Sequence, residues 1–176
     1  MNEYIDASVF LGMHSRDEQI RVACKNYFVE RLDDEVGISL EQVGKCDDVI
    51  WQYSREAQDA YYPFMDNLHT VMDIKRVPYD ERDIQEAIFH PYLLGSDIDF
   101  SDKLTLGMVL ARRAVLYTVN HQLLNLKPRR LTDRLGGKIR VEADVSNSVQ
   151  TPQAGKEIKF PEELEKLYQQ SLVVRM

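Results

Sequence analysis

Cysteine is scarce in this chain. Its two thiols, Cys24 and Cys46, lie too far apart for a CxxC motif and supply neither a disulfide framework nor a closed zinc site, so both are read as reduced, packed thiols. No apolar run reaches membrane-spanning length. The opening Met1-Asn2-Glu3-Tyr4 also lacks the basic and apolar stretches of a secretory signal. A cytoplasmic protein with no membrane partner is expected. The absence of a Gly-rich phosphate loop disfavours a plain nucleotide-binding α/β protein. His14, His69, His90 and His121 show no paired metal-ligand spacing and are read as surface or core residues, His121 alone excepted for its nearness to Asn120. There is no internal repeat and no long acidic block. Because the net charge is −7, any nucleic-acid partner must rely on a local basic patch.

What remains is an ordinary globular composition. With 176 residues, 44% hydrophobic and 29% charged, the chain has enough apolar surface for one domain with a normal core. Residues 3 to 10 read as a short buried strand running into a turn, with Asp6 at its end. Ile20, Ala23, Cys24, Tyr27, Phe28 and Leu32 recur at helical spacing, which predicts a helix from Asp17 to Leu32. A strand over Glu35 to Ser39 follows, then a helix capped by Ser39 with Gln42 as capping-box partner. Pro63 predicts a kink or break between two helices. Further helices are expected from about Asp80 to Phe89 and from Ser101-Asp102 to near Arg113, separated by a loop from His90-Pro91 to Phe100. Ala114 to Val119 reads as a buried strand. Trp51 and the Tyr61-Tyr62 pair are read as core or interface aromatics. Beyond Leu126 come basic residues, a Gly136-Gly137 turn, an alternating Lys138 to Val141 segment and a closing helix at 161–172. This order predicts an α/β fold with a mainly parallel sheet, whose strand carboxyl ends form the usual ligand site.

Two segments carry a more specific signal. Tyr4-Ile5-Asp6-Ala7-Ser8-Val9-Phe10 has a hydrophobic strand ending in Asp, then a small residue, then Ser. Asp102-Lys103-Leu104-Thr105-Leu106-Gly107-Met108-Val109-Leu110-Ala111, followed by Ala114 to Asn120, has Asp, an apolar helix, a strand and Thr118-Val119-Asn120. Together they resemble the PIN family of ribonucleases over roughly the first 125 residues. The resemblance implies a three-layer α/β/α sandwich at 1–126, with 127–176 as an extension packed on the same domain. It also implies Mg²⁺ or Mn²⁺ held by about four acids, with a metal-activated water attacking an RNA phosphodiester. A homodimer is the family's common arrangement.

Asp6 matches the first acid and Asp102 the third. Asn120 stands where the fourth acid is expected, and it offers a neutral oxygen only. Counting from Ser39 puts Lys45 in the second slot, with Glu41 and Asp48 one turn away on either side; a slipped register makes Glu41 the candidate. The expected set is therefore Asp6, Glu41, Asp102 and Asn120. Each residue also has a plainer reading: Asp6 as a turn-forming or helix-capping acid, Ser8 in a turn, Glu41 as a first-turn helix acid, Asp102 as the N-terminal charge of its helix, Asn120 as a loop start. Asp97 and Asp99 read as solvated loop acids. The basic segment 127–140, with Lys127, Arg129, Arg130 and Arg134, is the candidate RNA contact. Two functions stay open: a divergent metal-dependent endoribonuclease, and a non-catalytic relative that partners RNA or protein. Lys45 and Asn120 separate them, because together they halve the negative charge that retains a divalent ion.

Overall fold

The computed structural model describes residues 1–126 and 148–176. Among these residues the chain forms one all-parallel sheet of five strands in the order β3-β2-β1-β4-β5. The strands are β1 (Glu3–Ile5), β2 (Glu35–Ser39), β3 (Asp73–Val77), β4 (Val115–Tyr117) and β5 (Val149–Gln150). Between β1 and β2 lie α1 (Ala7–Gly12) and α2 (Glu18–Val29), and between β2 and β3 lie α3 (Leu40–Ile50) and α4 (Arg55–Val71). The crossover from β3 to β4 contains α5 (Glu81–Phe89), α6 (Pro91–Leu94) and α7 (Phe100–Ala111). After β4 come α8 (His121–Leu124) and, near the end, α9 (Glu162–Ser171). The Gly136-Gly137 turn, the Lys138 to Val141 segment and the whole basic run 127–140 lie outside the described residues.

Strand alternation sorts the layers. Ile5, Val36 and Ile38 face a core built with Phe10, Phe28, Phe64, Leu68 and Tyr168 from α1, α2, α4 and α9. Tyr4, next to Ile5 on β1, and Leu116, its partner across on β4, face a second core with Leu93, Leu106, Met108 and Val109 from α6 and α7. Because successive strand residues point to opposite faces, two helical layers cover one sheet, giving an α/β/α sandwich. The chain adds β2 and β3 on one side of β1, then returns to place β4 on the other. That reversal opens a crevice at the carboxyl ends of β1 and β4, where open α/β sheets bind ligands.

Local departures from the expected elements have identifiable causes. The first strand stops at Ile5, since Asp6 already caps α1. α4 runs unbroken through Pro63. A mid-helix Pro costs about 3 kcal/mol, which is offset by burial of Tyr61, Phe64, Met65 and Leu68 on the same helix, each contributing roughly 1.5–3 kcal/mol. The break falls instead at residues 51–54, where Ser54 caps α4. Trp51 in that break is 70% exposed rather than core, whereas Tyr61 is buried. Ser39 caps α3 by accepting from the Gln42 amide, but the Gln42 side chain does not close a capping box: it reaches Ala7 and Thr105.

Candidate functional site

Asp6 emerges at the end of β1 in an extended conformation and caps α1. Its Oδ1 accepts from the Ser8 amide at 3.0 Å and from the Ser8 hydroxyl at 2.5 Å, while Oδ2 accepts from the Thr118 hydroxyl at 2.5 Å. Those hydroxyls are themselves anchored, Ser8 Oγ accepting from the Val119 amide and Thr118 Oγ1 from the Asn120 amide, each at 2.9 Å. The network latches the end of β4 to the end of β1. Burial raises the Asp6 pKa above its ordinary value, and the nearby Asp102 charge adds to the rise, against the hydrogen bonds from Ser8 and Thr118.

Asp102 enters from the first turn of α7, whose N-cap is Asp99. It is buried, and both oxygens are engaged: Lys45 Nζ lies 3.3 Å from Oδ1, and Asn120 Nδ2 donates to Oδ2 at 3.1 Å. Asn120 directs its own oxygen away, accepting from the Gln122 amide at 2.9 Å as the cap of α8. Asp6, Ser8, Gln42, Lys45, Asp102 and Asn120 line one open cavity of about 420 Å³, together with the exposed Asp48. Residues 96 positions apart in sequence, Asp6 and Asp102, thus meet at the crevice.

Glu41 goes elsewhere. Its Oε2 accepts from the Tyr79 hydroxyl at 2.9 Å, within a polar cluster that includes Ser39 and Thr105, and it does not line the cavity. Gln42, Lys45, Asp48 and Val49 of α3 line the crevice, and although Glu41 lies one turn before Lys45, the Tyr79 hydroxyl holds its carboxylate away from it. Gln42 was legible only as a cap partner. Its bridging role, Oε1 accepting from the Ala7 amide at 3.0 Å and Nε2 donating to Thr105 at 2.9 Å, ties α1, α3 and α7 around the cavity. The spacing of three between Gln42 and Lys45 was the available signal.

The donor set does not fit a divalent ion. Hard cations need several oxygen ligands with free lone pairs and enough negative charge. Here the two inner carboxylates are occupied by hydroxyl, amide and ammonium donors, and Asn120 presents its amide nitrogen to Asp102. Among the described residues no group of three or more His, Cys, Asp or Glu is placed to hold a metal. Lys127, Arg129, Arg130 and Arg134 lie outside the described residues. No helix among them is long and apolar enough to cross a membrane.

No curated protein matches the chain. A family model does match, over residues 1–176, and by it the protein belongs to the family of unknown function DUF6190.

Proposed function

We propose that this protein is a PIN-like RNA-binding domain that does not hydrolyse its ligand, with Lys45 standing in for the divalent cation of the metal-dependent ribonucleases it resembles. The observation that carries this reading is the ion pair of Lys45 with Asp102 at 3.3 Å, completed on the other oxygen by the Asn120 amide. A lysine ammonium neutralises one carboxylate but lowers the pKa of no water and offers no coordination site to a phosphate oxygen. The crevice then keeps its shape and its polar lining while lacking the means of activating a nucleophile. Support for RNA as the ligand comes from sequence: Lys127, Arg129, Arg130 and Arg134 concentrate positive charge in a chain that is otherwise acidic.

Calorimetry with Mn²⁺ and an RNA cleavage assay test the reading together. The wild type should bind no Mn²⁺ and leave RNA intact, whereas Lys45→Glu combined with Asn120→Asp should gain Mn²⁺ binding by restoring charge and oxygen ligands. Mn²⁺-dependent cleavage by the wild type, abolished in Asp6→Asn, would establish the hydrolytic alternative instead. RNA affinity should fall, with a flatter salt dependence, when Arg129, Arg130 and Arg134 are replaced by Ala. An unchanged affinity and slope would turn the reading toward a protein partner.

A further inference from the structure

A second cavity, of about 240 Å³, opens on another face of α3, between that helix and α4. Phe10, Ile38, Val43 and Met65 give it an apolar lining, together with Tyr61 and Tyr62. Charged groups ring the same space: the carboxylates of Asp47 and Asp66, and the guanidinium of Arg76. The Tyr62 hydroxyl donates to Asp47 Oδ1 at 3.3 Å, and no ion pair engages Asp47, Asp66 or Arg76 among the described residues. Tyr61 is 2% exposed, and its hydroxyl lies near Cys46, Asp47 and Tyr62 with no hydrogen-bond partner among the described residues.

We infer that this cavity binds a free α-amino acid with an apolar side chain. Three features converge on that class. The apolar and aromatic lining suits a branched or aromatic side chain, and the volume exceeds the roughly 150 Å³ that suffices for benzene in a dry protein cavity, yet falls short of the roughly 300 Å³ at which drug-sized pockets begin. The two rim carboxylates complement an α-ammonium group. Arg76 complements an α-carboxylate, for which a guanidinium offers a paired donor geometry. His69, stacked on Phe10 at 5.7 Å between ring centroids, is held below its ordinary pKa by burial and by Arg76, so it adds no competing positive charge at neutral pH. A ligand of one charge alone would leave either the acids or the arginine uncompensated.

Titration calorimetry of the full chain with L-phenylalanine tests the inference, beside phenethylamine and 3-phenylpropionate, which keep the ring and one charge each. Saturable binding of L-phenylalanine is expected, stronger than that of either analogue and weakened about tenfold by Asp66→Asn and by Arg76→Gln. Asp66 and Arg76 are exposed, so both variants should retain the wild-type far-UV circular dichroism spectrum. Analogues binding as tightly as the amino acid, or variants with unaltered affinity, would reduce the cavity to apolar shape and overturn the inference. So would the absence of binding by L-phenylalanine and L-leucine up to about 10 mM.

Discussion

At the scale of single residues, the buried titratable groups set a pH profile. His14 is fully buried, its Nε2 within 2.9 Å of the Ser171 hydroxyl, which itself donates to the Tyr168 carbonyl; Nε2 therefore carries the proton. Its Nδ1 makes no hydrogen bond of good geometry among the described residues, and burial, opposed by the Phe10 backbone carbonyl and aided by the Arg175 charge, pushes the pKa down from 6.5 to about 4. A folded-state pKa below the unfolded value means that the unfolded chain takes up the proton first. Stability is then complete above pH 6.5 and is lost as pH falls from there through 4, by roughly 3 kcal/mol at most. His14→Gln keeps a donor for Ser171 and removes the titration, so urea midpoints measured between pH 7.5 and 4.5 should fall less steeply than in the wild type. Parallel curves would show that His14 does not titrate there. Asp6 has the opposite sign. Its folded pKa is raised, so ionising it costs stability as pH rises through the folded value, and Asp6→Asn should raise the urea midpoint at pH 7.5 with a gain that shrinks toward pH 4. A loss of stability at pH 7.5 would mean that the three hydrogen bonds to the anion outweigh its burial.

At the scale of elements, close approach between helices is decided by glycine. A Cβ on Gly107 of α7 would sit 2.4 Å from the Asp83 carbonyl oxygen and 2.6 Å from the Ala87 nitrogen, both backbone atoms of α5. Gly107→Ala should therefore force the two helices apart and cost about 3 kcal/mol in urea unfolding. Gly44, in α3, meets nothing within 4 Å, and Gly44→Ala should instead stabilise by roughly 0.5–1 kcal/mol through helix propensity. A pair of equal effects would exclude packing as the cause. The elements legible from sequence were those whose pattern is local: Asp17, Ser39 and Asp80 all cap the helices they precede, and the apolar stretches of α7 and β4 lie where periodicity put them. β3 was not legible because an edge strand reading Asp-Ile-Lys-Arg-Val, mostly exposed, shows no apolar run. β5, with two residues, is too short to show one. In the site, Asp6, Asp102 and Asn120 could be placed from strand ends and a helix start. The turning of Glu41 toward Tyr79 could not, since that partner arrives 38 residues later from a segment positioned by the unrecognised β3.

At the scale of the whole molecule, the question is whether the last residues form part of one cooperative unit. Phe160, Leu164, Tyr168 and Val174 belong to the same core as Ile5, Phe10 and Ile38, so removing this segment would open the interior. Asn26 of α2 straps the approach to it, donating to the Lys156 carbonyl at 3.0 Å and accepting from the Ile158 amide at 2.8 Å. Beside it Lys25, fully buried, pairs with Glu157 at 2.6 Å and Glu165 at 3.0 Å and lies 4.7 Å from the centre of the Tyr168 ring. Glu165 in turn accepts from the Phe160 amide at 2.9 Å. A buried cation with two acids stabilises little against an apolar substitute, but deleting one side of the pair strands the other. Lys25→Met keeps the apolar stem and leaves Glu157 half exposed, where water relieves it, and Glu165 largely covered, where it does not. The expected cost is about 2 kcal/mol, below the 3–5 kcal/mol of a wholly buried pair because one acid reaches solvent. Native-state hydrogen exchange shows how that loss is distributed. If the segment and the sheet form one unit, the slowest amides of α2 and α9 exchange by the same global opening in the wild type, and both lose the same free energy in Lys25→Met. Faster exchange confined to α9, with α2 unchanged, would mark the terminal helix as a separately opening appendage and would make the Lys25 cluster a local clamp.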